Sequence, residues 1–305
     1  MQQAPAAQTA LMSAGGETRT TQAAEIAPPG AFVSACGVRI HYVRRGTGPA
    51  VVYVHGAKGS VFDLLLSCGG RLAERHDTIA FDRPGSGFSE RAAHGGGSPQ
   101  AQAAVLRAAA AKLGVERPIL VGHSFGAAVA LAWALDAPAE VAAVVTLGGY
   151  VLPLGGPPPW VVALMRSRTA LRAVGALGRS RLGRPLVESA VRRAFSPGLP
   201  PAEYLRIGPA LALDEARLVS DGEDRKSAEA GLRALRPRYA GLTVPVVILV
   251  GEEDRMVPPS TSEKLHALLP GSELVRLPAC GHMPMFTSPE AVVAAVDRAA
   301  ELGGA

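Results

Sequence analysis

The chain has 305 residues, of which 48% are hydrophobic and 19% charged, with 35 glycines, 25 prolines and a formal net charge of +5. This apolar content excludes a wholly disordered chain, and glycine and proline lack the fixed period of a collagen-like fibre. Its apolar runs fall short of the roughly 18 residues that a membrane-spanning helix needs. We therefore expect a globular protein without stable membrane insertion.

The positive charge is concentrated in one segment. Residues 151–242 carry fifteen basic and eight acidic residues, whereas the remainder of the chain has a net charge of −2. No nucleic-acid-binding motif accompanies this charge, so we expect no nucleic-acid partner. Two explanations stay open: a solvent-facing surface that reflects an arginine-rich composition, and attraction of an anionic substrate.

The cysteines and the N-terminus bear on the compartment. Cys36, Cys68 and Cys280 are odd in number and show neither a disulfide framework nor a zinc-ligand spacing. Residues 1–29 lack the basic and apolar regions of a secretory signal. We therefore predict a flexible leader over 1–29, a reducing compartment and a cytoplasmic location.

Short β-branched runs alternate with helical patterns along the rest of the chain. Lack of polar alternation in the core runs is typical of strands that are buried on both faces of a parallel sheet. Gly37 supplies the turn of an initial hairpin. Predicted strands cover 31–36, 38–44, 50–54, 77–81, 119–121, 143–147, 246–250 and 273–277, and predicted helices lie near 60–75, 99–113, 125–136, 260–269 and 289–302.

This alternation predicts an α/β fold with a mostly parallel central sheet flanked by helices. The rhythm breaks between 151 and 242, where arginine-rich helical pieces occur without strand runs. We predict one α/β core from residues 30–150 and 243–305, with 151–242 as a helical insertion.

The strongest chemical signal is the sequence Gly-His-Ser-Phe-Gly at residues 122–126. A G-x-S-x-G match alone is weak, but this one follows a predicted strand and opens a predicted helix. Such a turn presents a serine hydroxyl above the carboxyl edge of a sheet, and its glycines permit the sharp backbone path. Ser124 is therefore the candidate nucleophile.

A serine nucleophile needs a base, and the base needs a group that orients it. His282 follows the last predicted strand, and Asp254 follows the strand at 246–250. Both therefore lie at the same sheet edge as Ser124, in the chain order Ser, Asp, His. Glu252 and Glu253 compete with Asp254 for the orienting role.

Nucleophilic attack on a carbonyl also requires two backbone N–H groups for the developing oxyanion. The residue after the nucleophile, Phe125, supplies one in this type of turn. The other is expected from the loop at 55–59, with Ala57 as donor. We further expect substrate contacts from Gly56, His123, Trp160 and Met283.

Together these residues resemble the α/β-hydrolase superfamily, in its serine-nucleophile branch with a helical cap. The resemblance spans about residues 31–302 and rests on His55-Gly56, on Asp-Arg-Pro-Gly-Ser-Gly-Phe-Ser at 82–89, on the serine turn, Asp254 and His282. It implies that 82–89 lies beside the pocket, with Asp82 and Arg83 structural, and that 151–242 is a cap over the pocket. Family members that use an aspartate nucleophile are set aside, because Ser124 occupies that position.

The resemblance implies a hydrolase that cleaves a small carboxylic ester, or a related acyl substrate, through an acyl-enzyme. It implies no metal and no organic cofactor, and a small-molecule substrate as the partner. Hydrolysis of C–C bonds in ring-fission products and cofactor-free perhydrolysis remain alternatives on the same triad, and a non-catalytic ligand-binding relative is a third. The oligomeric state, the acyl group and the leaving group are left open.

Overall fold

The β-branched runs form one central sheet in the computed structural model, which describes residues 26–91, 96–155, 161 and 167–304. Within these residues the sheet has eight strands. They are β1 (Ala31–Ala35), β2 (Val38–Arg45), β3 (Ala50–Val54), β4 (Asp77–Phe81), β5 (Ile119–His123), β6 (Ala143–Leu147), β7 (Val246–Gly251) and β8 (Glu273–Leu277).

The strand order is β1-β2-β4-β3-β5-β6-β7-β8. The hairpin β1–β2 is antiparallel and joins β4 in antiparallel fashion, while all later neighbours pair in parallel. The predicted mostly parallel sheet is thus confirmed. Strand β5 continues two residues beyond the predicted end, because Gly122 and His123 still pair with β6 before the chain turns.

Helices connect the strands on both faces of the sheet. The predicted helix near 60–75 is two short helices, whereas the other predicted core helices lie where the patterns placed them. The core helices are α1 (Phe62–Leu65), α2 (Gly69–Ala73), α3 (Pro99–Lys112), α4 (Phe125–Asp136), α9 (Pro259–Leu268), α10 (Pro284–Thr287) and α11 (Pro289–Gly303).

Alternating side chains of each strand feed two separate cores, because successive residues point to opposite faces of a sheet. In β3, Val52 and Val54 pack into the cluster that contains α3 and α4, whereas Val51 and Tyr53 pack into the cluster that contains α11. Helix α4 is almost entirely buried, so it holds the start of its own N-terminal turn rigidly against the sheet.

Between β6 and β7, the described residues form helices joined by turns and irregular segments, with no strand. The helices are α5 (Arg168–Arg179), α6 (Arg184–Phe195), α7 (Ala202–Ala212) and α8 (Glu215–Leu235), followed by a 3-10 helix (Arg236–Gly241). We call residues 151–242 the helical insertion. Phe195 packs against Tyr204 and Phe286, while Leu232 and Leu235 join the core on the α4 side. Its role as a cap stays a prediction.

Long apolar helices are absent from the described part of the chain: none there has both the length and the hydropathy to cross a bilayer.

Candidate active site

The loops that follow β3, β5, β6, β7 and β8 converge at the carboxyl edge of the sheet, since parallel strands end at the same edge. Ser124 sits between the end of β5 and the start of α4, with φ 50° and ψ −117°. That conformation is unusual for a residue with a side chain and is tolerated where surrounding contacts enforce it. A Cβ on Gly126 would collide with the backbone oxygen of Val54, so glycine is required there.

Backbone hydrogen bonds hold the serine turn on both sides. The Ser124 N–H donates to Leu147 O at 2.9 Å, and Ser124 O accepts from the N–H of Tyr150 at 3.0 Å and of Ala127 at 3.1 Å. Ser124 is 8% exposed. These three main-chain hydrogen bonds anchor Ser124 to the end of β6, to the loop after it and to the first turn of α4.

His282 and Asp254 form a buried pair in the loops after β8 and β7. The Nδ1 atom of His282 lies 2.7 Å from Asp254 Oδ2. The other carboxylate oxygen, Oδ1, accepts from the backbone N–H groups of Met256 at 2.8 Å and Val257 at 2.9 Å. These contacts fix the carboxylate, and they leave Nε2 of His282 as the nitrogen that can take a proton.

Of the three acids in the β7 loop, Asp254 is the one that reaches the imidazole. Glu252 and Glu253 are exposed, whereas Asp254 is buried. Gly148, after β6, lies against both members of the pair: a Cβ there would stand 3.1 Å from Asp254 Oδ2 and 3.3 Å from His282 Nδ1. Gly148 directly follows Leu147, whose carbonyl accepts from the Ser124 N–H. The end of β6 therefore contacts both the serine turn and the histidine–aspartate pair.

His123 links the serine turn to the His282 loop. The Nε2 atom of His123 lies 2.9 Å from His282 O, and the two rings are 4.8 Å apart between centroids. Burial and the adjacent His282 lower the pKa of His123 to about 3. His123 is therefore neutral and donates Nε2–H to the carbonyl, which ties its own strand to the loop of the candidate base.

The loop after β3, residues 55–59, faces the serine turn. A Cβ on Gly56 would lie 2.9 Å from Ser124 Cβ, so this loop and the nucleophile are in close contact. His55 Nδ1 lies 2.7 Å from Gly56 O, and His55 Nε2 lies 3.0 Å from the Arg83 backbone N. Burial and the Arg83 charge hold the pKa of His55 well below its usual range. The ring is neutral, accepts at Nε2 and donates at Nδ1.

Asp82 and Arg83, which follow β4, bond into neighbouring loops. Asp82 Oδ1 accepts from the Val61 N–H at 2.8 Å, and Oδ2 accepts from the Phe88 N–H at 2.9 Å. Arg83 is 1% exposed, and its guanidinium donates to the carbonyls of the β3 loop. The run at 82–89 predicted a structural role for Asp82 and Arg83. It did not indicate that Arg83 would bond to the loop after β3.

The residues expected to contact substrate have varied surroundings. Gly56, His123 and Met283 are buried, with Met283 in the core cluster on the α11 side. Ala57 is exposed, while Phe125 is buried. Trp160 lies outside the described residues. Substrate contact by these side chains stays a prediction.

A buried carboxyl that the sequence did not single out lies under the β3 loop. Asp63, in α1, is 2% exposed and lies beside the Tyr204 hydroxyl of the helical insertion. Burial raises the pKa of Asp63 to about 7, despite the opposing effect of its hydrogen bonds. Among the residues that the structure describes, no group of three or more histidine, cysteine or acidic side chains could hold a metal ion.

Comparison with known proteins finds related sequences and related folds. The "Putative carbamate hydrolase RutD" of Klebsiella pneumoniae subsp. pneumoniae is 28% identical over 241 residues, which cover 77% of this chain and 85% of that protein. An alpha/beta hydrolase fold protein from Burkholderia ambifaria superimposes with a TM-score of 0.73 at 24% identity, over 89% of this chain and 97% of that one.

An esterase from Exiguobacterium antarcticum superimposes with a TM-score of 0.72 at 21% identity, over 89% of this chain and 99% of that one. At these identities the structural matches speak for the fold alone. The model of the alpha/beta hydrolase fold family matches residues 49–289, which include every strand-end loop described above. The chain belongs to the alpha/beta hydrolase fold family.

Proposed function

We propose that this protein is a serine hydrolase that cleaves small carboxylic esters or related acyl substrates through Ser124, His282 and Asp254. The observation that carries the proposal is the 2.7 Å contact between His282 Nδ1 and Asp254 Oδ2, beside a serine held in a strained strand-to-helix turn. A nucleophile, a base and an orienting carboxylate in this arrangement suit acyl transfer.

In the proposed reaction, Ser124 Oγ attacks the acyl carbonyl carbon while His282 Nε2 takes its proton. The Asp254 carboxylate stabilises the resulting imidazolium, and the N–H groups of Ala57 and Phe125 stabilise the oxyanion. His282 then gives its proton to the departing oxygen, which leaves an acyl-enzyme. Water, deprotonated by His282, attacks the same carbon and releases the acid and the free serine.

The relatives bear on the substrate class. A curated relative is named for carbamate hydrolysis, and one structural neighbour is an esterase. Carbamates and carboxylic esters share an acyl carbonyl joined to a leaving oxygen, so one triad can serve both. This supports a test series that contains esters and carbamates side by side.

The first experiment is covalent labelling with a fluorophosphonate probe, followed by peptide mapping. We expect one label on Ser124, lost in Ser124→Ala. Ser272→Ala is the matched control, because Ser272 precedes β8 and so lies at the opposite edge of the sheet from the loop of His282. A folded protein that takes no label would contradict a nucleophilic Ser124.

The substrate is tested with p-nitrophenyl esters of increasing acyl length and a p-nitrophenyl carbamate. Turnover of the short esters supports the proposal. Preference for the carbamate would indicate the activity for which the Klebsiella relative is named. Labelling without turnover of either would direct attention to C–C bond hydrolysis or perhydrolysis. Neither labelling nor turnover would favour a ligand-binding role.

A further inference from the structure

The orientation of the Ala57 N–H is set by the carbonyl on the other side of the same peptide bond. Gly56 C=O and Ala57 N–H belong to one planar trans peptide unit, so they point in opposite directions. Any group that holds Gly56 O in place therefore also aims the Ala57 N–H. Three donors converge on Gly56 O: Arg83 Nη2 at 3.1 Å, His55 Nδ1 at 2.7 Å and the Gly59 N–H at 3.2 Å.

Arg83 is the donor that comes from outside the loop. Its Nε donates to His55 O at 3.0 Å while Nη2 donates to Gly56 O, so one planar guanidinium grips two consecutive carbonyls. Its central carbon also lies 5.0 Å from the centroid of the Phe125 ring. One fully buried side chain thus bonds the carbonyl of the Gly56–Ala57 peptide and lies beside the ring of Phe125, so it is close to both proposed oxyanion donors.

The helical insertion supplies the counter-charge for this arginine. Asp224, in α8, places Oδ2 2.8 Å from Arg83 Nη1, and Gln102 Oε1 lies 2.7 Å from the same nitrogen. Oδ1 of Asp224 accepts from Arg91 Nη1 at 2.7 Å. A buried arginine without a carboxylate is costly, so Arg83 depends on a residue that arrives with the insertion.

We propose that Arg83 is a positioning residue that aims the Ala57 N–H at the oxyanion, and that Asp224 holds Arg83 in this position. The proposal rests on the proposed function, because it assigns a role in the same acyl-transfer site. Three donors on Gly56 O also polarise its peptide unit, which makes the Ala57 N–H a stronger donor. The catalytic competence of the β3 loop therefore depends on a contact with the insertion.

The test compares Arg83→Gln and Arg83→Lys with Arg91→Gln. Arg91 shares Asp224, but its hydrogen bonds and ion pairs go to Pro84, Glu223 and Asp224 and not to the β3 loop, so it is the matched control. Loss of one oxyanion donor lowers kcat about 100- to 1,000-fold, and we expect this loss in both Arg83 variants with KM changed less than about threefold. Lysine fails because a point charge cannot grip two carbonyls. Arg91→Gln keeps kcat within about threefold.

Asp224→Asn gives the second arm, since it keeps the shape and removes the charge. We expect a fall in kcat of about tenfold or more, with the pH dependence of kcat unchanged because His282 and Asp254 are untouched. If Arg83→Lys retains full kcat, or Arg91→Gln loses as much as Arg83→Gln, the positioning role is overturned.

Hydrogen–deuterium exchange separates this inference from the proposed function. In peptides covering 55–60, we expect exchange about tenfold faster than in the wild type for Arg83→Gln and at the wild-type rate for Arg91→Gln. This result does not depend on whether the wild type hydrolyses esters. An inactive and unlabelled wild type would defeat the proposed function alone. Unchanged exchange at 55–60 in folded Arg83→Lys and Asp224→Asn would defeat the inference even in an active enzyme, and these two variants also decide the matter if Arg83→Gln does not fold.

Discussion

The serine turn and the β3 loop face each other across the site but are held in different ways. The turn is fixed by main-chain hydrogen bonds: the Ser124 N–H donates to Leu147 O, and Ser124 O accepts from the N–H groups of Ala127 and Tyr150. The β3 loop is fixed largely by the side chains of His55 and Arg83. The serine turn is therefore held by the backbone around it, whereas the β3 loop depends on one side chain of its own, His55, and on a distant one, Arg83.

This difference separates two kinds of vulnerability. Main-chain hydrogen bonds survive most side-chain substitutions, so the serine turn should tolerate changes in the residues that hold it. The β3 loop should respond to single substitutions far away in the sequence, because its partners are side chains. Asp254 is held in the first way, since backbone N–H groups fix its carboxylate.

The largest expected effect comes from Asp254→Asn, which keeps the main-chain hydrogen bonds of this side chain but changes the group that faces His282. The N–H groups of Met256 and Val257 demand an oxygen at Oδ1, so the new NH2 group must face His282 Nδ1. It then donates to Nδ1 and moves the imidazole proton to Nε2, where a base is needed. We expect labelling of Ser124 by a fluorophosphonate, and kcat on any ester turned over, to fall about 10⁴-fold.

The control for this prediction is Glu253→Gln in the same loop. Glu253 is exposed, so its loss should change the labelling rate less than about twofold. Equal loss in both variants, or a fall of less than tenfold in Asp254→Asn, would remove Asp254 from the orienting role.

The second prediction concerns the β3 loop, where we expect the free energy of unfolding to depend on pH. Asp63 packs beside Gly59 of the β3 loop, and its pKa is raised by burial from 3.8 to about 7. The folded protein therefore binds one more proton than the unfolded chain between these values, so the free energy of unfolding falls as pH rises through this window. At 1.36 kcal/mol per pKa unit, the loss is about 4 kcal/mol above pH 7.

Urea unfolding of wild type and Asp63→Asn between pH 4 and 8 measures this loss. Asparagine keeps an oxygen beside the Tyr204 hydroxyl and cannot ionise, so the difference between the two proteins isolates Asp63 from other titrating groups. We expect the variant to gain relative stability as pH rises. Parallel stability curves would show that Asp63 is already ionised at low pH in the folded state.

The smallest expected effect tests the tolerance of the serine turn. Tyr150 holds Ser124 O through its backbone N–H, while its hydroxyl bonds Glu229 Oε1 at 2.7 Å. Tyr150→Phe keeps the N–H, so kcat should stay within about twofold, with a stability loss of about 1 kcal/mol. A tenfold fall in kcat would mean that the turn also depends on a side chain, and the contrast with the β3 loop would disappear.

Much of the fold was predictable because buried strands appear as short apolar runs in the local sequence. Apolar β-branched runs such as 50–54 and 246–250 predicted the parallel strands, and the absence of such runs between 151 and 242 predicted the helical insertion. The end of β5 was less predictable, because Gly122 and His123 have turn-like composition but pair with β6. Neighbouring strands, rather than local propensity, decide where that strand ends.

The site divides in the same way. Ser124, Asp254 and His282 could be proposed from the sequence, because each follows a recognisable strand and parallel strands share an edge. The roles of Arg83, Asp224 and Asp63 could not, because each depends on a long-range approach between side chains. A fully buried arginine is indistinguishable in sequence from the many exposed arginines of this chain.

The bond of Asp224 to two arginines has a consequence for how the protein can change. An exchange of residues 151–242 with a relative would remove Asp224 while leaving Arg83 and Arg91 behind. A buried charge that loses its partner costs about 3–5 kcal/mol. A recombined insertion is therefore viable only if it carries a carboxylate to the same place. The insertion and the loop after β4 must therefore be exchanged together, although they are far apart along the chain.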